Sequence, residues 1–191
     1  MSDEEFFSLL TSEVEKIVDE DGDTGYLLNP PASKKELAVL EQAIPYSIPA
    51  QLALALKHAN GEPQLDNPQG ILGGDYWLST NGLVEQFQFH EDQLVHSFGD
   101  DASGWQGCER VKQGKLWRKE WMPISWGYDG RVLMLDTDPP GEGILGQILL
   151  AEHIDLRFGV VANSLRELLE FGLSRKDPIS SWPFLDQKAE N

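Results

Sequence analysis

Apolar residues recur at helical spacing from the start of the chain. Phe7, Leu10, Val14, Ile17 and Val18 fall on one face of a helix that Ser2 opens. Ser2 and Glu5 stand at capping-box spacing, and Asp3 and Glu4 occupy the first turn, where the helix dipole favours acids. A second helix is expected after Pro30-Pro31, with Ser33 and Glu36 as another capping box. Leu37, Leu40 and Ile44 line its face before Pro45 stops it. The third runs from Pro49 to His58 with a Leu52, Ala55, Leu56 and Ala59 stripe and ends at Asn60-Gly61. Joined by residues 44–49, the second and third make a helical hairpin whose inner faces need a partner elsewhere in the chain.

From Gly61 the pattern changes. Short strand-like runs stand at Gly70-Ile71-Leu72 and Tyr76-Trp77-Leu78, and residues 80–98 return to helix with Leu83, Val84, Phe87, His90, Leu94 and Val95. Residues 99–119 read as a polar loop or ragged hairpin. An antiparallel hairpin follows, Trp121–Trp126 against Arg131–Asp136 about a turn at Tyr128-Asp129-Gly130. Gly146–Leu150 and Phe158–Ala162 supply further strands, and Ser164 with Glu167 boxes a last helix bearing Leu165, Leu168, Leu169 and Leu173. Helices, then a meander, then a terminal helix predict an α+β fold: an antiparallel sheet with helices packed mainly on one side. Three parts are expected: an additional acidic helix and turn at 1–25, the domain at 26–173, and a tail at 174–191. Trp182-Pro183-Phe184-Leu185 is apolar enough to dock that tail on the body.

Composition narrows the class. In 191 residues, 32 acids against 15 bases leave a net charge of −17. Residues 1–100 carry 18 of those acids and 4 of the bases, so the imbalance sits mainly in the first half. A field of that sign favours a basic partner and faster encounter with it, and argues against nucleic acid. The single cysteine, Cys108, cannot form an internal disulfide, which fits a reducing cytoplasm. No apolar run reaches membrane-span length, and the acidic start lacks the basic region of a signal peptide.

Catalytic and metal-binding motifs are missing. Asp19–Asp23 suggests a calcium loop, but Thr24 and Pro30 stand where an EF-hand needs glycine and glutamate. His58, His90, His96 and His153 lie far apart without metal-ligand spacing, and no Gly-x-Ser-x-Gly or phosphate-binding loop is present. Asp136-Thr137-Asp138 could pair carboxylates, although a strand ending in solvent explains them more simply. No cofactor, metal or catalytic residue is therefore expected. For a protein partner, acids and aromatics near predicted loop ends are the candidates: Asp75, Trp77, Asp100, Asp101, Trp105, Asp129, Asp136 and Asp138. The basic cluster Arg110, Lys112, Lys115, Arg118 and Lys119 is the rival surface.

The ordered motifs resemble those of the SUKH superfamily, which includes the Smi/Knr glucan-synthesis regulators of yeast. The resemblance opens at Leu28-Asn29-Pro30-Pro31-Ala32-Ser33, continues through Ile44 to Ile48-Pro49, and reaches Asn60-Gly61. It resumes at Trp121-Met122-Pro123-Ile124, Asp129-Gly130, Leu133–Asp136, Gly146-Gln147-Ile148 and Val161-Ala162-Asn163-Ser164, covering about residues 26–173. It implies an α+β protein-binding domain without a catalytic centre. Bacterial members are viewed mostly as immunity proteins that neutralise toxins, often nucleases; fungal members regulate cell-wall synthesis and signalling. The expectation is a cytoplasmic immunity protein for a basic toxin domain, with a regulatory or scaffolding module as the alternative and an enzyme a distant third.

Overall fold

The computed structural model describes residues 1–21, 27–63, 70–94, 96, 109–115, 117–127, 130–152, 157–174 and 185. Helix α1 spans Asp3–Asp21, α2 Lys34–Ala43 and α3 Ala50–His58. The expected caps are in place. Ser2 and Glu5 exchange bonds of 2.7 and 3.2 Å, and the Ser33–Glu36 box closes with the same two lengths. Pro49 caps α3 from outside rather than opening it, and the helix stops at Ala59 in extended backbone.

Strand β1 (Tyr76–Trp77) precedes α4 (Thr80–Phe89), which runs into a π-helical turn at His90–Leu94. The predicted Trp121–Trp126 strand is two. Strand β2 (Trp121–Pro123) pairs with β4 (Arg131–Asp136), whereas β3 (Ser125–Trp126) pairs with β1. Ile124 is the pivot. Its N–H donates to the Leu133 carbonyl (2.8 Å) while its own carbonyl accepts from Leu78 N–H (3.0 Å), so one residue ties both sheets. Strands β5 (Ile148–Glu152) and β6 (Arg157–Ala162) complete an antiparallel sheet of order β2-β4-β5-β6, and α5 (Leu165–Leu173) closes the described chain. The result is the mixed α+β fold expected.

All five residues of β5 are buried, so both faces of the sheet are covered there. One core gathers residues from every helix and from both sheets. Helix α1 belongs to that core rather than being attached to it. Phe6, Phe7, Leu10 and Val14 are buried, and α1 packs on α3 and α5. Polar ties reinforce it: Gln51 donates to Asp3 (2.9 Å), and Arg166 reaches the Met1 carbonyl (2.8 Å) and lies 5.3 Å over the Phe6 ring.

The described part of 99–119 is a loop, as read, but two of its residues leave the solvent. Val111 and Trp117 are buried, and Trp117 packs edge-on against Phe87 (5.6 Å) and beside His90 (4.9 Å). Trp117 ties the segment to α4, and Val111 joins the core. The rest of it lies outside the described residues. In the tail only Ser174 and Leu185 are described; Leu185 N–H donates to the Val160 carbonyl (2.8 Å).

Candidate functional site

The eight sequence candidates divide three ways. Asp100, Asp101, Trp105 and Asp129 lie outside the described residues. Asp75, Trp77 and Asp136 are buried, 1% exposed or less. They offer a partner no surface, and the expectation that the Asp136 side chain turns into solvent is overturned. Asp138 is the one described candidate that is exposed, and it is ion-paired with Lys112.

Each of these two buried acids has a structural partner. Arg131, at the start of β4, places its guanidinium 3.2 Å from the Asp75 carboxylate. Asp136 ends β4 and accepts from Asp138 N–H (3.0 Å) and from the Gln147 amide (3.1 Å). Burial raises its pKa against the pull of those two bonds, with the Asp138 charge adding to the rise and Lys112 opposing it. Gln147 also donates to the Arg110 carbonyl (2.8 Å), while its oxygen accepts from Arg110 (3.2 Å) and from Ile144 N–H (3.1 Å). Arg110 reaches on to Asn163 (2.8 Å). The rival basic surface is thereby partly spent: Arg110 and Lys112 are tied into this network, and Arg118 lies 5.8 Å over the Trp121 ring. Acids and bases that the sequence offered as opposing surfaces meet at one end of the sheet.

Beside that network lies an open groove of about 490 Å³. Tyr46, Ile48 and Pro49 from the α2–α3 connection form one wall; Leu135, Thr137 and Leu145 face them. Leu145 is 74% exposed and its neighbour Ile144 48%. Apolar side chains held in water beside an apolar groove mark an interaction site better than scattered ones do. Sequence reading passed over this groove, because its walls come from segments some ninety residues apart. The one local signal was Ile144-Leu145 standing between glycines in a polar turn.

A second omission is Glu62. It is buried, and its carboxylate accepts from Trp77 N–H (2.8 Å) and Ile71 N–H (3.1 Å), holding the 70–77 backbone in place. Burial pushes its pKa up to about 8, although the two amides pull the other way. An unfolded Glu62 loses its proton near 4.5, so between there and about 8 the unfolded state binds fewer protons and stability falls as pH rises. Denaturant titrations at pH 5 and pH 8 should show a larger loss in the wild type than in Glu62→Gln, by up to roughly 4 kcal/mol. Equal losses in the two proteins would remove this account. Among the described residues, no three His, Cys, Asp or Glu side chains gather as a metal site would require. Nor is any described helix long and apolar enough to cross a membrane.

Described helices on a four-stranded antiparallel sheet define a mixed α+β protein, consistent with the SUKH fold. Comparison with protein families makes this specific. The model of the SMI1/KNR4 family (SUKH-1) matches residues 31–170, and the chain belongs to that family. No curated protein matches the chain.

Proposed function

We propose that this chain is an immunity protein: a non-catalytic cytoplasmic domain that binds a basic bacterial toxin, such as a nuclease, stoichiometrically and neutralises it. The observation that carries the reading is a net charge of −17 on a member of this family. Such a field draws a cationic partner into encounter and suits covering a basic active site. The test is affinity capture of the tagged protein from its native cells, with mass spectrometry of what survives a salt wash. The expected result is one basic protein at equal stoichiometry, whose toxic activity falls to background when mixed with this chain. Recovery of cell-envelope synthesis or signalling proteins instead would overturn it and leave the glucan-synthesis regulator reading in its place.

A further inference from the structure

The Ile144-Leu145 turn is not free to hide its side chains. Gly146, at φ 85°, donates to the Asp136 carbonyl (2.8 Å), and the buried Gln147 side chain holds Ile144 N–H. Gly143 N–H closes on the Pro140 carbonyl (2.7 Å). A turn pinned at both ends by hydrogen bonds, those to Asp136 and Gln147 being buried, keeps two aliphatic side chains in water against their transfer preference. The fold therefore maintains this apolar exposure.

Acidic groups flank the groove. Glu120 adjoins the groove through Thr137 in its wall, whose N–H and Oγ1 hydroxyl both donate to the Glu120 carbonyl (2.9 and 2.7 Å), and the Glu120 and Asp136 carboxylates both disfavour ionisation of the Tyr46 phenol. Of the cations in the adjoining network, Lys112 is taken by Asp138, and Arg110 by Gln147 and Asn163. Glu120 is half-buried and its carboxylate makes no hydrogen bond or ion pair among the described residues. Apolar walls with an unbalanced acid at one end are complementary to an apolar side chain that has a cation beside it.

We propose that this groove receives a large apolar side chain from a segment of a basic protein partner, with an adjacent Lys or Arg reaching Glu120. The inference deepens the immunity reading and rests on its premise that the partner is a basic protein. It commits to a protein segment rather than to a second copy of this chain, because two chains of charge −17 repel.

The test is selection from a displayed library of short peptides randomised over Leu, Phe, Met, Lys, Arg, Asp, Glu and Ser, on the full chain. Expected winners carry one large apolar residue flanked by Lys or Arg. Leu145→Ser, whose side chain is mostly in water and whose melting temperature should be unchanged, is expected to weaken the winners about tenfold or more. Glu120→Gln should keep the apolar preference and lose the basic flank, whereas Leu9→Ser, at an exposed position on α1, should change nothing. Winners with acidic flanks, no winners, or the same affinities on Leu145→Ser would each overturn the proposal. The library contains no toxin, so this outcome is independent of the affinity capture. A toxin bound equally well by Leu145→Ser would sink the groove and spare the immunity reading; groove-dependent peptides with no toxin captured would do the reverse.

Discussion

Gly61→Ala is expected to cost roughly 2–5 kcal/mol of folding stability, from a left-handed backbone penalty and an overpacking term together. Gly61 sits at φ 68°, and a Cβ there would stand 2.5 Å from the Leu78 carbonyl carbon and oxygen and 2.6 Å from Ser79 N. Those atoms have nowhere to go. Leu78 N–H is bonded to the Ile124 carbonyl (3.0 Å), and Ser79 caps α4. Asn60 next door holds the same helix start by accepting from Thr80 N–H (2.8 Å), while the Gly61 carbonyl accepts from Asn29 N–H (2.8 Å). Gly130 supplies the control: its φ is 79°, yet a Cβ would meet nothing within 4 Å. Gly130→Ala should therefore lose only the backbone penalty of roughly 1–2 kcal/mol. Urea titrations of the two variants decide it; equal losses would mean that the clash does not matter.

The second large effect is expected at the buried pair. Arg131→Met removes the guanidinium facing Asp75 and leaves a carboxylate in the interior, at a cost of about 3–5 kcal/mol. Gly127 crowds the same spot: a Cβ added to it would lie 3.2 Å from the Asp75 carboxylate, so water has little room to replace the lost partner. Replacing both members, Asp75→Asn with Arg131→Met, should recover much of the loss, because a neutral amide is cheaper to bury than a charge. A double-mutant cycle by chemical denaturation measures the coupling, and strictly additive losses would show that the pair does not act as one.

Legibility in the sequence followed the range of the interactions. Capping boxes at Ser2–Glu5 and Ser33–Glu36 act over three residues and were read directly, as were the apolar stripes of α1, α2 and α5. The break at Ile124 was not, because nothing in Trp121–Trp126 says that its second half pairs with Tyr76-Trp77, some fifty residues earlier. Asp75 and Asp136 looked like surface acids for the same reason. What buries them, Arg131 and Gln147, lies beyond any local window; an arginine opening an apolar strand and a glutamine opening the next were the available hints. Glu62 gave less still, since its partners are backbone amides. The family resemblance, by contrast, depends only on the order of motifs, and the matched residues 31–170 fall within the 26–173 span read from it.

The place of α1 in the core bears on where this protein ends as a physical object. The family match starts at residue 31, beyond the whole of that helix. Yet Phe7 and Leu10 are as deeply buried as the leucines of α3 and α5 on which the helix rests. The family signature and the packed core are thus different lengths of chain. A polypeptide trimmed to the signature would wet the outer sides of α3 and α5 and strip Arg166 of its contacts with Met1, Asp3 and Phe6. The segment that looks like an appendix is a lid on the hydrophobic interior.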